Sequence, residues 1–244
     1  MKKFLSVLIA LFLSACGGTN WNAPDDFIYV PIKSGEYEIA TWQKINNPKN
    51  NHIHIYIEGD GSAFDAYGRP TSNPTPYGTF VRDLAVHDNF DNVVYMARPC
   101  QFIMTDSCTE SDWTTGRFSQ KIIDAQGRAI AQIAKNRKIT LIGYSGGAMV
   151  SGLVIEQNPK LNVEKWITIA GVLDHEKWTA HFGDKQLTES LNLKKLPDVP
   201  QIHYVGEKDE TVPPELAKTW AKEFDIKIIQ NAEHDDFKDL KIFD

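Results

Sequence analysis

The chain has 244 residues, room for one or at most two domains. Apolar residues make up 42% and charged residues 24%, ordinary values for a globular protein with a sizeable core. The net charge of -6 supplies no basic footprint and argues against a nucleic-acid partner.

In chain order, Lys2 and Lys3 precede an apolar run from Phe4 to Leu13 that is too short to span a bilayer. This is the layout of a secretory signal. The run ends in Leu13-Ser14-Ala15-Cys16, which resembles the bacterial lipobox. That resemblance implies cleavage before Cys16, lipid on Cys16, a tether over residues 16–25, and a membrane as partner. No aspartate follows Cys16, which in bacterial lipoproteins favours the outer membrane. One further domain is expected over 26–244. Export also bears on Cys100 and Cys108, which lie within one loop. A disulfide is expected there, the alternative being two free buried thiols.

Strands are expected at Phe27–Ile32, Glu36–Trp42, His52–Ile57, Asn92–Ala97, Lys138–Ile142, Lys165–Ala170, Gln201–Val205 and Ile226–Gln230. Gly68 to Gly78 reads as a long surface loop. Helices are expected at Tyr77–His87, Ser119–Asn136, Gly146–Gln157, Pro214–Phe224 and Asp235–Lys241. In the second of these Ile122, Ile123, Ala125, Ala129, Ile130 and Ile133 form an amphipathic stripe. Two early strands followed by β/α alternation predict an α/β fold with a mostly parallel sheet of about eight strands. Helices should cover both faces.

Gly143-Tyr144-Ser145-Gly146-Gly147 stands between a strand and a helix and fits G-x-S-x-G, the nucleophile elbow. A serine hydroxyl needs a base, and the base an orienting acid. Gly206-Glu207-Lys208-Asp209-Glu210-Thr211-Val212-Pro213 follows the next-to-last strand, and His234 follows the last. Order and positions resemble the α/β-hydrolase family over nearly the whole expected mature length. The resemblance implies a Ser145–Asp209–His234 triad, with Glu207 and Glu210 competing for the acid. The other histidines lie in strands, at a helix end, or before the acid.

The oxyanion hole of this family takes one N–H from the residue after the nucleophile, here Gly146. The second comes from the loop after His52–Ile57, which reads Glu58-Gly59-Asp60-Gly61 where the family usually has His-Gly. Asp60 and Gly61 are the candidates, and the Asp60 carboxylate is expected to turn away and cap the following turn. The implied reaction is hydrolysis of an acyl bond, a carboxylic ester foremost, through an acyl-enzyme. It calls for no cofactor and no metal, and the sequence has no CxxC pair.

Residues 171–200 leave room for a small cap. Trp113, Trp178, Phe118 and Tyr67 are candidates for the pocket or for core edges, and Tyr144 is expected to pack near the pocket. Arg98 and Arg117 are candidates for a substrate carboxylate or for structural ion pairs. The resemblance implies a small-molecule or lipid acyl substrate. The competing expectation is a lipid-anchored binding or structural protein on an inactive hydrolase scaffold.

Overall fold

Pro31 has no N–H to donate to a ladder, and the first expected strand breaks there. The computed structural model describes residues 21–221, 224–237, 240, 242 and 243. In it Phe27–Ile32 divides into β1 (Ile28–Tyr29) and the start of β2 (Ile32–Ser34). Glu36–Trp42 divides likewise, into β3 (Tyr37–Ile39) and β4 (Thr41–Ile45). The cause is a change of partner: β2 and β3 form a hairpin around Gly35, while β1 pairs with β4.

The remaining described strands are β5 (His52–Ile57), β6 (Asn92–Met96), β7 (Lys138–Tyr144), β8 (Val163–Ile169), β9 (Gln201–Gly206) and β10 (Asp225–Ile229). The main sheet has eight strands in the order β1-β4-β6-β5-β7-β8-β9-β10. It is antiparallel where β4 meets β1 and β6, and parallel from β6 to β10. The mostly parallel eight-stranded sheet is as expected.

Side-chain alternation gives the sheet two apolar faces. On β5, Ile53, Ile55 and Ile57 join one core, and Tyr56 the other. Helices α2 (Gln120–Ala134) and α3 (Gly146–Gln157) cover the first face. Helix α1 (Phe80–His87) covers the second with Val81 and Ala85. All six residues of the stripe read on α2 are buried, as its periodicity requires.

Three helix expectations are corrected, and one helix was not expected. Pro76 and Gly78 precede α1, which starts at Phe80 rather than Tyr77. Helix α4 (His175–Phe182), within 171–200, was not anticipated as a helix; Asp174 accepts the Lys177 N–H at its start, and Gly183 ends it in the left-handed conformation. Helix α5 runs from Pro214 to Trp220. The helix expected at 235–241 is absent over its described start. There Asp235–Phe237 are non-helical, the Glu233 N–H meets the Asp236 carbonyl, and Phe237 packs against Phe80. Residues 238, 239 and 241 lie outside the described residues, as do the expected leader and Cys16.

Candidate active site

Strand β7 lies between β5 and β8 and delivers Tyr144 and Ser145 to the carboxyl edge of the sheet. Ser145 adopts φ 49° and ψ -121°, the left-handed side of backbone space that a side-chain-bearing residue enters only when its surroundings hold it. The surroundings do so. Its N–H donates to the Ile169 carbonyl at 3.0 Å, and its own carbonyl accepts from Val172 at 3.1 Å. The flanking glycines are sterically required: a Cβ at Gly143 would lie 2.5 Å from the Gly147 carbonyl, and one at Gly147 2.5 Å from that of Glu58. The hydroxyl therefore stands at the N-terminal, positive end of α3.

The loops after β9 and β10 converge on it. Lys208 donates its N–H to the Ala232 carbonyl at 2.9 Å, tying the two loops together. His234 Nε2 lies 3.0 Å from Ser145 Oγ, and its Nδ1 lies 3.1 and 3.0 Å from the two oxygens of Asp209. The Asp209 side chain is fully buried. Its Oδ1 also accepts the N–H groups of Thr211 (2.9 Å) and Val212 (2.8 Å). Glu207 and Glu210 are exposed, and Glu207 accepts from the Asn231 N–H instead. The structure thus brings Ser145, His234 and Asp209 together and leaves both competing acids outside.

The remaining histidines are engaged elsewhere. His54 meets Asp88 at 2.7 Å, His52 meets Thr140 at 2.9 Å, His87 donates to the Asp83 carbonyl, and His203 lies between Thr168 and Gln201. His175 stacks on Phe118, and His181 packs on Phe182.

The loop after β5 carries the second half of the site. Glu58 is buried; its carboxylate accepts from the Tyr95 hydroxyl at 2.7 Å and from the Gly59 N–H at 3.0 Å. Burial pushes this carboxyl above its ordinary value, against the pull of Tyr95, Gly59 and two arginines. The Asp60 carboxylate does not cap the turn; its Oδ1 lies against Gly146, 2.0 Å from where a Cβ of that residue would stand. Arg98 reaches Oδ1 at 2.8 Å and Arg117 reaches Oδ2 at 2.6 Å, so both arginines are structural ion-pair partners. Burial raises the Asp60 pKa, but Arg117 and Arg98 outweigh it and hold the group below its ordinary range. Burial pushes Arg98 the other way, below its usual value, with Asp60 opposing. We find no hydrogen-bond partner for the N–H groups of Asp60, Gly61 and Gly146 among the described residues.

A cavity of about 370 Å³ opens over Ser145, within the range of small-molecule sites. Its apolar walls are Tyr77, Phe80, Tyr144, Val172 and Trp178, and Asp60 and Gly61 line its floor with the serine. Trp178 on α4 is tied to the acid loop by its Nε1–H bond to the Thr211 carbonyl, 2.8 Å long. The other candidate aromatics lie elsewhere. Trp113 and Phe118 are buried in the core, where apolar surface is best removed from water, and Tyr67 is 84% exposed away from the cavity. Phe80 and Val172 escaped the sequence reading because they are marked only by apolar character, which core residues share. Cys100 and Cys108 are joined as a disulfide with Cα atoms 5.8 Å apart. Among the described residues, no group of three or more His, Cys, Asp or Glu side chains is placed to hold a metal ion.

A mostly parallel sheet with a serine on a strained strand-to-helix turn at its carboxyl edge defines an α/β-hydrolase fold. Solved structures agree on that fold. An α/β serine hydrolase without a lid from Xanthomonas campestris shares 13% identity, over 87% of this chain and 88% of its own, with a TM-score of 0.55. For an α-β serine hydrolase homologue from Coxiella burnetii the values are 14%, 85%, 89% and 0.55. For Est1E from Butyrivibrio proteoclasticus they are 12%, 85%, 90% and 0.60. Among curated proteins, none matches. The family model described as Serine hydrolase (FSH1) matches residues 104–236, more than half of the chain and a span that holds Ser145, Asp209 and His234. The chain belongs to this serine hydrolase family.

Proposed function

We propose that this serine hydrolase cleaves carboxylic esters through a Ser145–His234–Asp209 triad. The observation that carries the reading is the unbroken line from Asp209 through His234 to Ser145, with 3.0 Å contacts at both ring nitrogens. Neutral His234 takes the Ser145 proton as Oγ attacks the acyl carbonyl. Asp209 keeps the other ring nitrogen protonated and steadies the imidazolium. The N–H groups of Gly146 and Asp60 stabilise the tetrahedral oxyanion, Gly61 being the alternative second donor. The alkoxide leaves with the proton from His234, and an acyl-enzyme remains. Water then gives a proton to His234 as its oxygen attacks the acyl carbon, and His234 passes that proton to Ser145 Oγ as the acyl–Oγ bond breaks, releasing the carboxylic acid and the free serine.

Location completes the reading. The charged start, the short apolar run and Leu13-Ser14-Ala15-Cys16 support a lipid anchor on Cys16 and a place in the bacterial cell envelope, at the outer membrane. The catalytic domain would follow a tether that starts at Cys16 and is shorter than the expected 16–25, because Trp21 already packs on Trp42 and Tyr95.

The test is a panel of neutral aryl esters of increasing acyl length, run beside a thioester and an anilide of the same acyl group. The reading predicts turnover of at least one ester that His234→Ala loses. Ester turnover retained in His234→Ala, or turnover of the anilide alone, would contradict it.

A further inference from the structure

We propose that Arg98 and Arg117 are positioning residues for the oxyanion hole and act through Asp60. The proposal rests on the hydrolase reading above and adds what holds its two N–H donors in place.

Asp60 touches both donors at once. Its own N–H is one of them. Its Oδ1 lies where a side chain of Gly146, the other donor residue, would begin: a Cβ there would sit 2.0 Å from that oxygen and 3.2 Å from Arg98 Nη1. The carboxylate is clamped from both sides by guanidiniums that are themselves fixed. Arg117 Nε donates to the Thr114 carbonyl at 2.7 Å, and Arg98 Nη2 donates to the Arg117 carbonyl. Gln101 closes the frame, accepting the Arg98 N–H at 2.9 Å and donating to the Gly59 carbonyl at 3.0 Å. Beside it, the Gly59 N–H is taken by Glu58.

Charge points the same way. A lone carboxylate beside a forming oxyanion would oppose it. Two guanidiniums offset the Asp60 carboxylate, and burial pushes the neighbouring Glu58 carboxyl toward its neutral form. Both arginine side chains are about 95% buried, at 5% and 6% exposure, so neither is presented to a substrate. A buried ion pair is a poor source of stability, because desolvation offsets its attraction. Holding a catalytic loop in one geometry is a use that fits such a cluster.

The experiment measures kcat and KM for an ester, and the inhibition constant of a boronic acid, which forms a tetrahedral anion on the serine. Variants are Arg117→Gln, Arg117→Lys, Asp60→Ala and the double Arg117→Gln/Asp60→Ala, each checked for folding by thermal unfolding. Misplacing one donor by about 1 Å should lower kcat roughly 10- to 100-fold. The expected result is that loss in Arg117→Gln and Asp60→Ala with KM within about twofold. The inhibition constant should rise in step. The double variant should be no worse than the poorer single, and Arg117→Lys should be intermediate. If Arg117→Gln does not fold, Arg117→Lys is read in its place. Folded variants with parental kcat, or losses that multiply in the double, overturn the proposal while the parent still turns over. A parent that hydrolyses no ester overturns the hydrolase reading, and this proposal with it.

Discussion

Asp209 turns both carboxylate oxygens toward His234 Nδ1, at 3.1 and 3.0 Å, while its Oδ1 also receives two backbone N–H groups from Thr211 and Val212. The acid is thus fixed before it fixes the histidine. Asp209→Asn keeps the shape but presents an N–H or a weaker acceptor to the ring, favouring the wrong tautomer. Turnover should fall by about 10⁴, and the fold should persist. Glu207→Gln and Glu210→Gln, at exposed positions, should stay within about threefold of the parent. Steady-state kinetics on the three variants separates the acids.

The triad was legible because each member follows a strand end by a few residues, and strand ends are marked by local pattern. Ser145, Asp209 and His234 could be placed without knowing any long-range contact. The Asp60 fork could not: Arg98 and Arg117 lie 38 and 57 residues further on, and which carboxylate an arginine finds is decided by the fold. Helix α4 has its cap at Asp174 and its stop at Gly183 in the sequence, but eight residues give too weak a period to read. At 235–237 the sequence pattern suggested a helix, and tertiary packing of Phe237 against Phe80 overrode it.

The Cys100–Cys108 disulfide closes a loop of nine residues between Arg98 and Arg117. A loop this short restricts the unfolded chain by only about 2 to 3 kcal/mol. Replacing both cysteines by alanine should therefore lower stability by that amount and leave a folded protein. Urea unfolding of parent and double variant measures it; a loss near zero, or failure to fold, would go against this assignment.

His203 is buried between Thr168 and Gln201, and burial pushes it down to about 4. In the unfolded chain it titrates near 6.5. Above that pH it is neutral in both states, and its contribution is whole. As pH falls from 6.5 to about 4, the unfolded chain takes up a proton that the folded protein refuses. Stability is lost across that window, by about 3 kcal/mol in full. Denaturant unfolding at pH 7 and pH 4.5 should show a larger acid loss in the parent than in His203→Gln. Equal losses would mean that His203 is not the group responsible.

Cys16 lies outside the described residues, and the anchor proposal rests on sequence. Cys16→Ser should remove the site of lipid attachment, leaving the protein unprocessed or released from membranes. Fractionation of cells, with immunoblotting for the chain, reads the outcome. If the variant sediments with membranes at the processed size, as the parent does, the lipid anchor is wrong.

The central claim is that Ser145 is an activated nucleophile. Incubation of the purified protein with a fluorophosphonate, followed by mass mapping of the labelled peptide, tests it most directly. The account predicts one adduct, on Ser145, that is lost in Ser145→Ala and strongly slowed in His234→Ala. An unlabelled parent, or an adduct that survives in Ser145→Ala, would contradict it.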